Sequence, residues 1–305
     1  MQATPTPETR PKRTLLIAEH AGFCHGVKKA VNKTVAAAQN QDATQGEPKA
    51  VYVLGELIHN PQEIERLRQE GIQTVHSLDE VPPGSLCIIR THGAPPALSQ
   101  EMAARNIQPV DATCPDVLLV QNRAVQLAQE GYVVVLVGRE SHPEIIGIRA
   151  HTQQVPGADV IVIESPAQIQ EKIVQAGKHR KVGIVSQTTQ LEGVFFETVA
   201  ALAKVVKELK VFNTICPATF FRQNAALDLA QKVPVMVVIG GKNSSNTTHL
   251  ADICKAQGAQ TIHIETPEEL DHFEPLKTAT TVGITAGAST PDWLVEQVIA
   301  YLQSN

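Results

Sequence analysis

Val133-Val134-Val135-Leu136-Val137-Gly138-Arg139-Glu140-Ser141-His142-Pro143-Glu144 is the stretch that decides the fold. Five consecutive aliphatic residues leave no polar face, so a strand built from them must be covered on both sides, as in parallel α/β sheets. The run then breaks at a glycine into polar residues, and the carboxyl end of a parallel strand is where ligands sit. The same form recurs outward along the chain, at Leu15–Ala18, Val51–Leu54, Leu86–Ile89, Val160–Ile163, Val182–Val185, Val235–Ile239, Thr261–Ile264 and Val282–Ile284. Amphipathic segments lie between these runs. Val117–Gln129 puts Val117, Val120, Ala124 and Leu127 on one helical face, with Gly131 as its stop.

Set side by side, the segments repeat at roughly a hundred residues, the size of a small domain. The first repeat holds Cys24, then Val53–His59, then Ile88–Gly93. The second holds Cys114, then Val135–His142, then Ile184–Thr189, and the third holds Cys216, then Val238–Asn246, then Ile284–Ser289. Each has one cysteine and two hydrophobic strands that end in polar residues. The expected fold class is α/β, with three pseudo-equivalent small domains of largely parallel sheets at 14–108, 109–209 and 210–303, preceded by a flexible tail at 1–13. Strand ends that face inward would share one central cavity, and no repeat carries a complete site alone.

The bulk properties narrow the function. The 305 residues are 43% hydrophobic and 19% charged, as in a folded protein. Net charge is −5, from 26 Lys+Arg against 31 Asp+Glu, and no long basic run argues for a nucleic-acid partner. No apolar stretch approaches the roughly 20 residues of a membrane span. The Thr/Pro/Lys-rich start lacks the apolar segment of a secretory signal. Five cysteines, an odd count, fit a disulfide framework poorly and suit a cytoplasmic setting.

Three of those cysteines stand at equivalent places. Cys24 lies in Gly22-Phe23-Cys24-His25-Gly26-Val27, Cys114 in Asp111-Ala112-Thr113-Cys114-Pro115, and Cys216 in Asn213-Thr214-Ile215-Cys216-Pro217. Each precedes an expected helix, where the dipole and free N–H groups favour the thiolate that ligates metal. Taken singly, each would be read as a small buried hydrophobe. Cys87 and Cys254 are read that way, as core residues with no ligand role. Three thiolates fit zinc with a fourth ligand or water. They also fit a cubane iron–sulfur cluster whose fourth iron stays open to a substrate oxygen. Without a Cys-x-x-Cys pair, spacing does not choose between them.

His59, His92 and His142 each follow a hydrophobic strand. Ser244, Ser245, Asn246 and Ser289 add hydroxyls and an amide beside Gly240, Gly241 and Gly287. Donors of this kind, without a carboxylate cluster, suit phosphate oxygens better than a bare divalent metal. Glu144 is a carboxylic acid that a closed pocket would keep protonated. Thr188 and Thr189 offer hydroxyls to relay its proton.

Together these motifs resemble the LytB/IspH family of 4-hydroxy-3-methylbut-2-enyl diphosphate reductases. They run through Gly22–Val27, Ile58–Asn60, His92–Gly93, Asp111–Pro115, Gly138–Glu144, Gln187–Thr189, Cys216–Gln223, Lys242–Asn246 and Thr285–Ser289. The resemblance implies a trefoil of three domains around a 4Fe-4S cluster held by Cys24, Cys114 and Cys216, with one open iron. It implies reductive removal of the allylic hydroxyl to give isopentenyl and dimethylallyl diphosphates, the last step of the non-mevalonate isoprenoid precursor pathway. His59, His92, Ser244, Asn246 and Ser289 would bind the diphosphate, with Ser245 beside them. His142 would lie near the substrate and aid proton supply, Glu144 would be the proton source, and Thr188 would serve in the hydroxyl relay. The open iron would take the substrate hydroxyl, and a ferredoxin or flavodoxin would supply electrons. Ala21 and His25 depart from the residues common in the family, Arg and Ala, and the sequence ends at Asn305 without the extension many members carry. Two further readings use the same cysteines, a zinc-dependent hydrolase and a non-catalytic iron–sulfur sensor.

Overall fold

A computed structural model describes residues 13–39, 50–178 and 180–304. The expected tail at 1–13 lies outside them apart from its last residue. The chain divides into two compact units, one formed by Cys24–Phe220 and the other by the segments that end at Phe23 and begin at Phe221.

The described residues form three four-stranded sheets, and every strand pair is parallel. Two belong to the unit Cys24–Phe220. The first contains β2 (Val51–Leu54), β3 (Ile72–Val75), β4 (Leu86–Ile89) and β5 (Gln108–Asp111), in the order β3-β2-β4-β5. The second contains β6 (Val133–Val137), β7 (Val160–Ile163), β8 (Lys181–Ser186) and β9 (Glu208–Val211), in the order β7-β6-β8-β9. The third sheet lies in the other unit. It contains β10 (Val235–Ile239), β11 (Gln260–Ile264), β12 (Thr281–Ala286) and β1 (Thr14–Ile17), in the order β11-β10-β12-β1.

All three orders are therefore the same, and the third sheet takes its fourth strand from the start of the chain. Leu15 pairs with Val282 and Ile17 with Ile284. Residues 14–17, placed in the expected first domain, thus pair in the third sheet. The expected borders at 108/109 and 209/210 fall within β5 and β9. The reason is local: the fourth strand of each sheet comes immediately before a cysteine, so β1 stands before Cys24 as β5 stands before Cys114 and β9 before Cys216.

Nine helices cover the sheets among the described residues: α1 (His25–Gln39), α2 (Pro61–Gln69), α3 (Pro96–Ala104), α4 (Pro115–Gln129), α5 (Pro143–Thr152), α6 (Glu192–Ala203), α7 (Pro217–Ala230), α8 (Ser245–Ala256) and α9 (Asp292–Ser304). The second sheet shows why its strands are aliphatic throughout. Val134, Leu136 and Val185 pack against Val120, Ala124 and Leu127 of α4 and Ile145 and Ile148 of α5. Val135, Val137, Val182 and Ile184 pack on the opposite face against Phe195 and Leu202 of α6. Burial of each such side chain contributes about 1.5–3 kcal/mol. Cys87 and Cys254 are buried core residues, as the sequence predicts. No helix of the described residues is long and apolar enough to cross a membrane.

Candidate active site

α1, α4 and α7 begin at the residue after Cys24, Cys114 and Cys216. Pro115 and Pro217 occupy first helical positions, where a missing N–H costs nothing. Each sulfur meets the first turn of its own helix. The Val27 N–H donates to Cys24 Sγ at 3.4 Å, and the Thr219 N–H donates to Cys216 Sγ at 3.4 Å. The N–H groups of Asp116 and Val117 bond Cys114. Burial nonetheless pushes the Cys114 thiol up to about 11 and raises that of Cys216. Asp116 and Cys24 add negative charge around both. Thiolates at Cys114 and Cys216 need a cationic centre to persist.

The cysteine backbones are hung on the strand ends that carry polar residues. The Cys114 N–H donates to the Thr91 carbonyl at 3.0 Å, and the Cys216 N–H to the Thr188 carbonyl at 3.0 Å. Gly26 leaves room for the sulfurs beside it. A Cβ at that position would lie 2.5 Å from Cys114 Sγ and 3.9 Å from Cys24 Sγ.

His59, His92 and His142 come together within the same unit. Their ligand-capable nitrogens all lie within 4.8 Å of one another, and His59 stacks on His92 with ring centroids 4.6 Å apart. His142 caps α5, its Nδ1 accepting the Glu144 N–H at 3.2 Å, which leaves the neutral ring's proton on Nε2. His59 Nδ1 lies 3.0 Å from Glu56 Oε2. Burial, and then the charges of His59, His142 and Arg90, hold His92 well below the usual imidazole range. His92 Nδ1 is buried and has no hydrogen-bond partner among the described residues.

Glu144 is buried at the start of α5. Its carboxylate accepts the Thr188 N–H at 2.6 Å and the Thr188 Oγ1 hydroxyl at 2.8 Å. Both bonds favour the charged form, yet burial dominates and pushes the carboxyl up to about 7. A buried acid near neutrality, joined to a hydroxyl, can hold and deliver one proton.

Ser244, Ser245, Asn246 and Ser289 belong to the other unit. Ser244 caps α8, its Oγ accepting the Thr247 N–H at 3.4 Å. Asn246 is buried, and neither Oδ1 nor Nδ2 has a partner among the described residues, nor do Thr247 Oγ1 and Thr285 Oγ1. Buried polar atoms without partners are rare and costly, and these stand at a helix start that favours anions. Ser289 is buried and Ser245 half-buried.

Several residues gain roles that sequence reading did not assign. Thr219 supplies a hydroxyl 3.1 Å from Cys216 Sγ besides its N–H. Thr91 anchors Cys114, and Glu56 orients His59. Arg222 is fully buried and donates from Nη2 to the Gly22 carbonyl at 2.8 Å, fixing the loop before Cys24. Position in the quoted motifs was the available signal for Thr219 and Arg222. Glu56 and Thr91 likewise lie in the repeat segments Val53–His59 and Ile88–Gly93.

The profile of the LytB protein family matches residues 15–303. The 4-hydroxy-3-methylbut-2-enyl diphosphate reductase of Aquifex aeolicus (strain VF5) is 46% identical over 291 residues, covering 95% of this chain and 96% of that one. The enzyme of the same description from Thermoanaerobacter sp. (strain X514) is 40% identical over 287 residues, covering 93% and 95%. Among solved structures, (E)-4-hydroxy-3-methyl-but-2-enyl diphosphate reductase, described as the terminal enzyme of the non-mevalonate pathway, is similar with a TM-score of 0.70. It is 44% identical, and the match covers 95% of this chain and 99% of that one. The E-1-hydroxy-2-methyl-but-2-enyl-4-diphosphate reductase from Plasmodium falciparum is similar with a TM-score of 0.85 at 25% identity, covering 95% and 88%. With its helix-capping cysteines, its histidine cluster and nearly its whole length matched, this chain belongs to the LytB family.

Proposed function

We propose that this chain is a 4-hydroxy-3-methylbut-2-enyl diphosphate reductase. The reaction takes the allylic alcohol, two electrons and two protons to isopentenyl or dimethylallyl diphosphate and water. The observation that carries this reading is Glu144, a buried acid near neutrality, hydrogen-bonded to Thr188 in the unit that also holds all three helix-capping cysteines.

The cysteines fit a 4Fe-4S cluster. Helix N–H groups on each sulfur suit a multi-iron cluster, and the matched relatives are reductases, which gives the zinc-hydrolase reading no support. When bound, the cluster supplies electrons and an open iron that acts as a Lewis acid toward the substrate hydroxyl.

The remaining chemistry belongs to the chain. His142 Nε2 donates toward substrate, and the neutral His92 offers a donor to a phosphate oxygen. Ser244, Asn246 and Ser289, with Ser245, provide donors for the diphosphate. Glu144 holds a proton at its carboxyl and passes it through the Thr188 hydroxyl, which accepts on one lone pair as it donates from its hydrogen. The protein works in the cytoplasm with a ferredoxin or flavodoxin as reductant, and its five free cysteines agree with a reducing compartment.

Anaerobic reconstitution followed by turnover tests this reading. About four irons per chain and formation of the two isomeric products from the hydroxylated diphosphate, dependent on a reductant, are expected. A colourless zinc protein that acts without reductant would overturn it.

A further inference from the structure

The surface that leads to the cysteines carries a charge pattern opposite to the chain as a whole. α1 contains Lys28, Lys29 and Lys33 and no acidic residue, in a chain with net charge −5. Its inner positions Val27, Ala30, Val31 and Thr34 are buried, and His25, Lys28, Lys29, Asn32 and Lys33 are exposed. The helix starts at the residue after Cys24. Lys33 Nζ reaches the Asp111 carbonyl at 2.5 Å, at the start of the loop that carries Cys114. The basic stripe therefore runs between the loops of two cluster-ligand cysteines. Leu118 and Leu119, one turn beyond Cys114 on α4, are 39% and 48% exposed. Of the nearby acids, Asp111 has its carboxylate engaged by the Thr113 N–H at 2.8 Å, and Asp116 is half-buried.

A small apolar centre with a charged rim is the anatomy of a weak, transient interface, and electron-transfer encounters bury the least area of all specific complexes. Local positive charge on a negative protein steers an acidic partner to one face and repels it elsewhere. Electron transfer falls steeply with distance, so a useful docking face must lie against the sulfurs, and this one borders two of them. We propose that the outer face of α1, with Leu118 and Leu119, is the docking surface for a small acidic one-electron carrier protein. This rests on the reductase reading. Each docked carrier gives up one electron and leaves oxidised, and two successive encounters supply the two electrons that, with two protons, release the hydroxyl as water.

Turnover of the reconstituted holoenzyme with two reductants tests the assignment. One assay uses reduced flavodoxin, an acidic protein, and the other uses reduced methyl viologen, a small cation that needs no docking face. The variant Lys28→Glu/Lys29→Glu/Lys33→Glu should raise the KM for flavodoxin at least tenfold at low salt and leave viologen-driven turnover and iron content unchanged. Raising salt should weaken flavodoxin-driven turnover of the unaltered protein and have little effect on the variant. If the triple reversal reduces iron content, Lys29→Gln/Lys33→Gln carries the same comparison with about a threefold change. Flavodoxin-driven turnover unaffected by either variant overturns the docking surface, and so does an equal loss with both reductants at full iron content. An unaltered holoenzyme that turns over with neither reductant removes the reductase reading instead, and the docking face with it.

Discussion

Glu144 receives both hydrogen bonds that Thr188 can give it, one from the backbone N–H at 2.6 Å and one from the hydroxyl at 2.8 Å. Those bonds fix the carboxyl geometrically while burial keeps its proton near neutrality. Positioning and acidity are thus set by different parts of the chain, the first by the loop after β8 and the second by the closed start of α5.

Replacing Glu144 by Gln preserves shape and one acceptor oxygen but removes the transferable proton. Turnover should fall about 10²–10⁴-fold with iron content and diphosphate affinity nearly unchanged. Steady-state rates together with iron analysis check this. A KM effect without a kcat effect would assign Glu144 to binding.

The same group gives a pH signature. Its carboxyl is at about 7 in the folded protein against an ordinary 4.5. Turnover should be flat below pH 7 and decline above it as the acid form disappears. The folded state binds more protons than the unfolded one between the two values. Its contribution to stability is therefore complete below the unfolded value and is lost as pH rises through about 7, on the order of 3 kcal/mol. Denaturation midpoints measured from pH 4 to 8 should show this slope, and Glu144→Gln should abolish it.

A methyl group at Gly26 would lie 2.5 Å from Cys114 Sγ. Gly26→Ala should retain far-ultraviolet circular dichroism and lose more than half of its iron per chain. Full iron loading would show that the two loops separate without cost.

Asn246 buries an amide whose two polar atoms have no partner among the described residues. If a phosphate oxygen is the missing acceptor, Asn246→Ala should raise KM roughly 10- to 100-fold, matching about 1.5–3 kcal/mol for a hydrogen bond to a charged group. The comparison to make is the substrate against its alcohol without the diphosphate, for which the two proteins should differ little.

Burial and neighbouring positive charge hold the His92 pKa well below the usual imidazole range. An arriving phosphate reverses the second cause. Pyrophosphate binding should therefore take up protons, and affinity should increase as pH falls. Calorimetry in buffers of different ionisation enthalpy measures that uptake. Binding with no proton exchange between pH 5 and 8 would contradict it.

Much of this architecture is legible in the chain because its central strands are covered on two faces. Val51–Leu54, Val133–Val137 and Val235–Ile239 have the bounds read from the sequence. The strands that escaped notice, Ile72–Val75, Gln108–Asp111 and Glu208–Val211, are sheet edges. An edge has weaker demands for apolar residues, and Gln108-Pro109-Val110-Asp111 carries few. The sheet to which Leu15 belongs is a non-local choice that no periodicity encodes. The cysteines were legible by their place before helices, whereas Gly26 against Cys114 depends on an approach between segments far apart in sequence. Glu144 was legible as an acid near His142, but its proton affinity depends on burial that only the closed fold supplies.

The pairing of Thr14–Ile17 with Thr281–Ile284 sets an order of events on the ribosome. β1 must wait until β12 has been made before its neighbour exists. Until then the segment leading into Cys24 has no fixed support, while β5 and β9 pair with partners made shortly before them. The approach to Cys24 is accordingly fixed late, once β1 and β12 have paired.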